Sequence, residues 1–298
     1  QVHTHLRPLT LSRPYRYVRL IVNIFGHVLY KSIPIPEKPS YSGNDVTVVI
    51  PTIEDDMEKL RGPVSSILAT DLHELFLVTT YGKYHTLAEF AKSFNDPRIK
   101  VYQSKIANKR LQLHKAIPNV TTDITVLVDD DVTWPKTIIP WLLAPFEDPD
   151  MGSVGVCQRV ARDRDADFIT RCWNWLGECY IHRRNFEISA SHFYDGGTSC
   201  MSGRTNALRS EILKNHEFLE GLCNEKWGKF NLNADDDNFI TRWLVNHDLK
   251  TYIQYNEECM LETTLEANSK FLAQCLRWAR SNWRSNYTTL FIERKVYE

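Results

Sequence analysis

The chain has 298 residues, of which 43% are hydrophobic and 24% are charged, and its formal net charge at pH 7 is −1. These values are typical of a folded globular protein, and the near-zero net charge excludes a general affinity for nucleic acid. No apolar run reaches the roughly 18 residues needed to cross a bilayer, so no membrane-spanning segment is predicted within this sequence.

Basic residues concentrate near the N-terminus, where the first 31 residues contain no acid. The stretch YVRLIVNIFGHVLY, Tyr17 to Tyr30, has aromatic ends and basic flanks, which suit a helix lying at a membrane surface. A helix that packs on the core is the equal alternative. The proline-rich stretch Ser32 to Asp45 follows and predicts an extended linker. We therefore expect a basic, membrane-proximal segment over residues 1–44 and a catalytic domain over residues 45–298.

After the linker, strands and helices alternate. Apolar runs predict strands at Val46–Ile50, Leu75–Thr80, Ile99–Gln103 and Ile124–Val128. Helical spacing predicts helices between them at Met57–Leu68, His85–Phe94 and Asn108–Ile117. Strands joined by helical crossovers predict an α/β fold with a mostly parallel, doubly wound sheet flanked by helices. Ligands bind such sheets at the carboxyl ends of the strands.

The second half of the chain is less regular. A further strand is predicted at Ser153–Val160, then a long helix at Ala166–Ala190, and a glycine-rich stretch that becomes helical over Gly196–Leu213. An amphipathic helix follows at Asp236–His247, then a strand-like segment at Lys250–Thr263. The last predicted element is a long amphipathic helix at Ser269–Ile292. Seven cysteines without a CxxC spacing favour a reduced, cytosol-facing environment.

Two aspartate triplets carry the first chemical signal. Asp129, Asp130 and Asp131 directly follow a buried strand, where alternate carboxylates suit Mg²⁺ or Mn²⁺ shared with phosphate oxygens. The alternative is an acidic turn in open water. The second triplet opens a helix, and Asp235 is predicted to cap it. For Asp236 and Asp237, stabilisation by the helix dipole and a chemical role are equally open.

The last helix carries the second signal. Gln274, Arg277 and Trp278 fall on one side of it, so that a guanidinium able to bind a diphosphate lies beside a flat ring on which a sugar stacks. The alternative is a helix that buries the tryptophan and extends the arginine into water. Lys109 begins the helix before the aspartate strand, a place that suits phosphate, although two exposed basic residues are equally consistent.

The order of these motifs is more specific than any one of them. A strand ending in VIPT-x-E, a basic pair, D-x-D, a Gly-Arg loop, an acid pair and Q-x-x-R-W together resemble the processive family-2 glycosyltransferases, which include cellulose, chitin and hyaluronan synthases. The closest likeness is to the fungal capsular-polysaccharide-synthase or hyaluronan-synthase-like branch, and it covers roughly Asp45 to Asn286. The resemblance implies the GT-A nucleotide-sugar-binding fold and an inverting transfer from a UDP-sugar.

The resemblance also implies roles for particular residues. Asp129 and Asp131 match the pair that holds Mg²⁺ or Mn²⁺ on the diphosphate, and Asp237 matches the general base. Asp236 stands where the family usually has glutamate, so its catalytic role is less secure. The implied contacts to the nucleotide-sugar and acceptor come from Pro51, Thr52, Glu54, Lys109, Asp130, Gln274, Arg277 and Trp278. One departure is that Thr79 and Thr80 stand where the family usually has an aspartate that reads uracil.

The function implied is a metal-dependent hexosyltransferase that extends a cell-wall, capsule or matrix polysaccharide at the cytosolic face of a membrane. Family members of this kind are integral to the plasma membrane or secretory pathway, and the basic, aromatic end segments fit membrane-interface helices leading to spans outside this sequence. Two alternatives remain open: a non-processive transferase acting on a lipid or glycan, and an inactive UDP-sugar-binding subunit. A Mg²⁺-dependent phosphotransferase would leave Q-x-x-R-W unexplained.

Overall fold

The computed structural model describes residues 7–163 and 165–295, and side chains from residue 17 onward. The first six residues of the predicted basic segment and the last three of the chain therefore lie outside the described residues, as do the side chains of Arg7, Arg13 and Arg16. The strands are β1 (Val46–Pro51), β2 (Glu74–Thr80), β3 (Ile99–Ser104), β4 (Ile124–Val128), β5 (Val132–Thr133), β6 (Met151–Val156), β7 (Gln158–Val160), β8 (Thr205–Arg209), β9 (Lys226–Trp227), β10 (Phe230–Asn231), β11 (Lys250–Gln254) and β12 (Leu261–Thr263). The α-helices are α1 (Arg7–Leu29), α2 (Met57–Leu68), α3 (Tyr84–Lys92), α4 (Lys109–Ala116), α5 (Ile138–Leu143), α6 (Phe168–Asp195), α7 (Ser210–Lys214), α8 (His216–Asn224), α9 (Asp236–Asn246) and α10 (Lys270–Tyr287), and a π-helical turn, Thr288–Glu293, follows α10.

A seven-stranded sheet in the order β11-β6-β8-β4-β1-β2-β3 forms the centre of the fold. Strand β8 runs antiparallel to both neighbours, and the other adjacent pairs are parallel. The prediction of an α/β fold with a mostly parallel sheet flanked by helices is confirmed. Because β4 and β1 are adjacent and parallel, the turn after β1 and the aspartates after β4 leave the sheet side by side.

Both faces of the sheet are covered, which explains its apolar strands. Along β1, Val46, Val48 and Ile50 pack into the core cluster that includes residues of α2 and α3, whereas Val49 packs into the cluster that includes residues of α4, α8 and α9. All four are fully or almost fully buried. A strand buried on both faces reads as a continuous apolar run rather than as an alternating one.

The prediction of a glycine-rich loop becoming helical over Gly196–Leu213 is wrong in its middle part. Residues 205–209 form β8, inserted antiparallel between β4 and β6 so that Ala207 pairs with Val126 on one side and Val154 on the other. The strand was missed because it begins with polar residues, which are nevertheless buried. The Thr205 hydroxyl accepts a hydrogen bond from Trp134 Nε1 at 2.9 Å, and the Asn206 side-chain oxygen accepts one from Ser153.

Two predicted strand segments are each divided. The segment Ser153–Val160 breaks at Cys157, so that β6 belongs to the large sheet and β7 to a small sheet of order β5-β12-β7. The segment Lys250–Thr263 divides in the same way into β11 and β12. The two stretches change sheets together, held by a hydrogen bond from the Cys157 backbone N–H to the Gln254 carbonyl at 2.9 Å. This crossing carries the end of β12 towards the aspartates after β4.

Helix α1 packs on the rest of the domain, which is one of the two alternatives that the sequence left open for Tyr17–Tyr30. One face packs on α6 so closely that a Cβ at Gly26 would lie 2.6 Å from the Tyr194 ring, and His27 Nδ1 lies 2.7 Å from Ser189 Oγ. The opposite face is exposed, with Val28 at 72%. None of the helices within residues 7–163 and 165–295 is long and apolar enough to cross a membrane. A membrane-surface role for α1 therefore stays a prediction.

The buried His192 makes the fold sensitive to pH. It lies on α6 with its ring edge-on to Tyr252 at 5.4 Å, and burial lowers its pKa from 6.5 to about 4. Between these pH values the unfolded chain binds a proton that the folded chain does not. We therefore expect the free energy of unfolding to fall as pH drops from about 6.5 to about 4, by up to about 3 kcal/mol from this group.

Urea unfolding across that pH range would test this. His192→Leu should flatten the dependence, whereas His216→Leu, at a fully solvated position, should leave it unchanged because His216 side-chain exposure is 94%. A His192→Leu protein with the same pH slope as the parent would contradict the assignment.

Candidate active site

The turns after β1, β2 and β4 are fixed to one another. Thr52 Oγ1 donates a hydrogen bond to Asp130 Oδ2 at 2.6 Å, joining the end of β1 to the aspartate strand. Gln112 Nε2, on α4, donates to the carbonyls of Thr52 and Val78 at 3.0 and 2.8 Å. Pro51 and Thr52 are buried, so their contribution to the site is to hold this turn in place.

Glu54 is engaged in its own turn. Its Oε1 accepts hydrogen bonds from the backbone N–H groups of Asp55 and Asp56 at 3.0 and 3.1 Å and lies 3.4 Å from Lys59 Nζ. The bond from Asp56 is the main reason that the pKa of Glu54 is lowered. At the same turn, Lys83 Nζ lies 2.6 Å from Asp55 Oδ1. The structure therefore places Glu54 at the rim of the site, with its carboxylate already bonded.

Lys109 joins the two acidic triplets. Its Nζ lies 2.7 Å from Asp129 Oδ1 and 3.1 Å from Asp236 Oδ2. The three residues come from the start of α4, the end of β4 and the start of α9, so this bridge connects distant parts of the chain. Burial lowers the pKa of Lys109, but the two carboxylates raise it more, and its net pKa is above the ordinary value. The ammonium therefore stays charged.

The other two carboxylates after β4 are held by hydroxyl groups. Asp131 Oδ2 lies 3.2 Å from Thr263 Oγ1 and 3.3 Å from Thr264 Oγ1, both delivered by the end of β12. Burial and the neighbouring Asp129 raise the pKa of Asp131 to about 6. Burial also raises the pKa of Asp130, which the Thr52 hydroxyl partly offsets. Three successive carboxylates, two of which (Asp130 and Asp131) have raised pKa values, form a place where a cation is favoured.

This donor set matches one kind of metal site. Within residues 7–163 and 165–295, no group of three or more His, Cys, Asp or Glu is arranged to hold a metal ion. An all-protein cage is therefore not what Asp129 and Asp131 offer. One or two carboxylates, completed by substrate phosphates and water, are what Mg²⁺ and Mn²⁺ take at phosphate-transfer and diphosphate sites. The residues fit an ion that arrives with a phosphate ligand.

Asp237 lies in the first turn of α9 and is half-buried beside the bridge. Thr241 Oγ1 donates to the Asp237 carbonyl at 2.7 Å and accepts from the Met201 backbone N–H at 2.9 Å, which fixes this turn against the loop before β8. Burial, followed by the charge of Asp236, raises the pKa of Asp237, and Lys109 partly offsets this. Burial also raises the pKa of the neighbouring Cys200 thiol. Asp237 is thus a carboxylate with increased basicity.

The predicted capping role of Asp235 is wrong. The residue occupies the position before α9, but its φ of +67° is left-handed, and its side chain makes no capping hydrogen bond. Its carboxylate instead pairs with Arg284 of α10. The left-handed backbone directs the side chain away from the first N–H groups of the helix, so an ion pair replaces the cap.

The Q-x-x-R-W residues lie on α10 facing the acidic cluster. Trp278 stacks on Tyr180 of α6, with ring centroids 5.2 Å apart and an interplanar angle of 30°. The Arg204 guanidinium lies 5.5 Å from the centroid of the Trp278 ring. Arg277 is exposed, and Gln274 Oε1 is a buried acceptor to which no described residue donates a hydrogen bond. The stacked pair of Trp278 and Tyr180 is called the aromatic shelf below.

One cavity of about 700 Å³ gathers these groups. The predicted residues that line it are Lys109, Asp129, Asp130, Asp131, Asp236, Asp237, Gln274, Arg277 and Trp278. Pro51, Thr52 and Glu54 do not line it and reach it only through the contact of Thr52 with Asp130. Thr79 is buried at the end of β2, and neither it nor Thr80 lines the cavity.

The sequence did not indicate the wall that α6 contributes. Tyr180, Arg183 and Arg184 line the same cavity, together with Gly203 and Arg204 before β8. A Cβ at Gly203 would lie 3.1 Å from Lys109 Nζ, so this glycine makes room for the bridge. In the sequence, the Gly203-Arg204 pair is distinctive only through its place in the order of motifs. Nothing in the spacing of α6 distinguishes its two arginines from surface residues.

Comparison with known proteins agrees with this geometry. The chain matches the family model described as glycosyltransferase like family 2 over residues 43–281, and it belongs to that family. It is 60% identical to a type 2 glycosyltransferase of Pyricularia oryzae over 95% of the chain and 59% of that protein. A type 2 glycosyltransferase of Gibberella zeae is 59% identical over 95% of the chain and 54% of its own length. The chain thus spans little more than half of these relatives.

A solved structure shows the same fold. A mannosyltransferase from Pyrobaculum calidifontis, in complex with GDP-Man and Mn²⁺, matches with a TM-score of 0.67 at 18% identity, over 95% of this chain and 74% of its own. The predicted GT-A-like fold and the prediction of a glycosyltransferase are confirmed. Similarity to hyaluronan synthases is distant: the mouse hyaluronan synthase 3 is 26% identical over 57% of the chain.

Removing the central cation should destabilise the protein. In Lys109→Met, Asp129 and Asp236 would keep their charges without a partner, so we expect the free energy of unfolding at pH 7 to fall by about 1–3 kcal/mol. Lys92→Met removes an exposed pair with Glu89 and is the matched control, with a change below about 0.5 kcal/mol. Urea denaturation measures both values. Equal unfolding midpoints for Lys109→Met and the parent would show that the bridge does not contribute to stability.

Proposed function

We propose that the domain transfers a sugar from a UDP-sugar, with a divalent metal ion and with inversion, to a hydroxyl group of a growing polysaccharide. The observation that carries this proposal is the arrangement of the cavity. Two carboxylates suited to a phosphate-bound metal, Asp129 and Asp131, line the same cavity as the basic carboxylate Asp237, and Lys109 bridges Asp129 to Asp236 beside it. A donor site and a proton acceptor thus share one cavity.

The donor side is suited to a diphosphate leaving group. Asp129 and Asp131 would hold Mg²⁺ or Mn²⁺, whose chemistry when bound is to neutralise the charge of the diphosphate. The complex of the Pyrobaculum protein with GDP-Man and Mn²⁺ supports such a metal. As the bond between the anomeric carbon and the phosphate oxygen breaks, negative charge builds up on the phosphate. Lys109, which stays charged, and Arg277, which lines the same cavity, stabilise that charge.

The acceptor side needs a base because a sugar hydroxyl is a weak nucleophile. Asp237 takes the proton of the acceptor hydroxyl. The oxygen of that hydroxyl forms the new bond to the anomeric carbon, and UDP departs with the electron pair of the broken bond. Attack from the face opposite UDP inverts the anomeric configuration. Asp236 is fixed to Lys109, so its role is to position that cation rather than to take the proton.

The aromatic shelf suits the sugar ring of the acceptor. The Trp278 ring lines the cavity, stacked on Tyr180 and approached by the Arg204 guanidinium, and Gln274 Oε1 is a buried acceptor that has no hydrogen-bond partner among the described residues. A sugar hydroxyl that donates to this oxygen would satisfy it, which favours a carbohydrate ligand over an apolar one. The nucleotide base is the less defined part, because Thr79 is buried and no carboxylate from β2 replaces the family's usual aspartate.

We further propose that the full protein acts at the cytosolic face of a membrane and extends its product processively. Exposed apolar side chains on α1 and α10 support membrane contact, including Phe25, Val28 and Trp283. A non-processive transferase of the same family would share the described site. The length of the product distinguishes the two reactions.

Asp237→Asn should separate chemistry from binding. The amide cannot accept the proton, so we expect transfer to fall by roughly 10²–10⁴-fold while UDP binding in the presence of Mn²⁺ stays within about twofold. Asp248→Asn, at an exposed position just beyond α9, is the matched control and should retain activity because Asp248 side-chain exposure is 79%.

The measurement is UDP release by the full-length protein in membranes, across UDP-sugars with Mg²⁺ or Mn²⁺ and with a GDP-sugar for comparison. Turnover of one UDP-sugar that requires the metal and is lost in Asp237→Asn supports the proposal. Equal loss of UDP affinity in Asp237→Asn would count against its assignment as the base. UDP that binds without any turnover would favour the inactive binding subunit.

A further inference from the structure

The charges of the cavity are sorted onto different walls. The acidic residues cluster around Lys109 at the ends of β4 and the start of α9. The wall that faces them is formed by α1, α6, α10 and the loop before β8, and its charged residues are Arg19, Arg183, Arg184, Glu187, Arg204 and Arg277. Five cations therefore share this wall with one carboxylate. Such an excess at a binding site attracts anionic ligands.

The single carboxylate of this wall, Glu187, already lies beside two of the arginines. Glu187 Oε1 lies 3.7 Å from Arg19 and 3.6 Å from Arg183. Over residues 17–163 and 165–295, where side chains are described, Arg184, Arg204 and Arg277 have no carboxylate within ion-pair distance. Within the part of the chain whose side chains are described, three guanidinium groups thus line the cavity without forming an ion pair, although the charges of Asp129, Asp131 and Asp237 act on Arg204 and that of Arg184 acts on Asp237.

Two of these three guanidinium groups, those of Arg184 and Arg204, lie on the acceptor side of the cavity. Arg184 Nη2 donates to the Cys200 carbonyl at 3.3 Å, and its charge acts on Asp237. Arg204 Nε donates to Thr263 Oγ1 and Nη1 to Gln158 Oε1, both at 3.0 Å, which holds its guanidinium over Trp278. Both arginines therefore border the aromatic shelf and the base.

The donor does not require these two groups. A diphosphate bound through a divalent ion is compensated by the metal, Lys109 and Arg277. Arg184 and Arg204 would still lack an ion pair and feel only the more distant aspartates of the cavity, although a desolvated cation is costly unless it gains a partner. A planar guanidinium binds carboxylate and phosphate through paired N–H groups.

We propose that the acceptor is an anionic sugar: its ring stacks on the aromatic shelf and its carboxylate or phosphate binds Arg184 and Arg204 beside the hydroxyl that attacks. This inference rests on the proposed function, since it assigns the acceptor of the same site. It concerns the acceptor only and leaves the donor sugar open.

The test compares three glycosides that share one ring: methyl β-D-glucoside, methyl β-D-glucuronide and methyl β-D-glucoside 6-phosphate. Their dissociation constants are measured by ligand-observed NMR with and without saturating UDP and Mn²⁺. We expect at least one anionic glycoside to bind about tenfold or more tightly than the neutral one, which corresponds to about 1.4 kcal/mol. Whichever of the two is preferred identifies the oxyanion as carboxylate or phosphate.

Substitutions of Arg184 test whether this residue causes the preference for anionic glycosides. Arg184→Gln should reduce the anionic preference by about tenfold, and Arg184→Lys should retain part of it because the charge remains. Arg171→Gln is the matched control, since Arg171 is exposed on the same helix and outside the cavity. A lost preference in Arg184→Gln together with a retained one in Arg184→Lys excludes simple unfolding.

The outcomes separate this inference from the proposed function. If UDP and Mn²⁺ bind but the three glycosides have equal dissociation constants, the anionic acceptor is wrong and the transferase stands. If UDP and Mn²⁺ do not bind, the proposed function fails, and the glycoside comparison made without them still decides the inference. A preference that persists unchanged in Arg184→Gln would also overturn it.

Discussion

The candidate active site depends on one half-buried cation, Lys109, between two carboxylates. Asp129 and Asp236 come from the end of a strand and the start of a helix that are more than a hundred residues apart, and without Lys109 their charges would repel across the cavity. The bridge lets two acidic triplets share one site. It also limits the metal chemistry, because an ion that uses Asp129 must share that carboxylate with Lys109 or displace it.

A second set of charged residues, centred on Arg110, fixes the start of α9 from the interior of the protein. Arg110, almost fully buried, donates to the carbonyls of Ala234 and Asp235 at 2.9 and 3.1 Å. Its Nη2 also lies 2.7 Å from Glu225, which pairs with Arg242 of α9. These contacts support the left-handed backbone at Asp235, a conformation that is unfavourable for most residues other than glycine. The two residues of the basic pair at the start of α4 therefore have different roles: Lys109 faces the cavity and Arg110 faces the interior.

The sequence is sufficient to predict those parts of the site that are formed by residues close together along the chain. Apolar runs identify strands such as β1 and β4, and the aspartates that follow them must leave at the ligand-binding edge of a parallel sheet. It could not predict β8, because Thr205 and Asn206 resemble loop residues until their buried hydrogen bonds are known. Nor could it predict Tyr180 or Arg184, because only packing of α6 against α10 brings them to the cavity. The error at Asp235 has the same origin, since an ion pair from a distant helix replaced a local cap.

The small sheet couples the two sides of the cavity. Thr263 at the end of β12 receives a hydrogen bond from Arg204 and its hydroxyl lies 3.2 Å from Asp131 Oδ2, so one side chain joins the aromatic shelf to the carboxylates after β4. A ligand that pulls on Arg204 would change the bonding of Asp131, and a metal ion on Asp131 would change that of Arg204. Arg204 and Asp131 are therefore linked through a single hydroxyl group, so that a shift of either side chain changes the hydrogen bonding of the other.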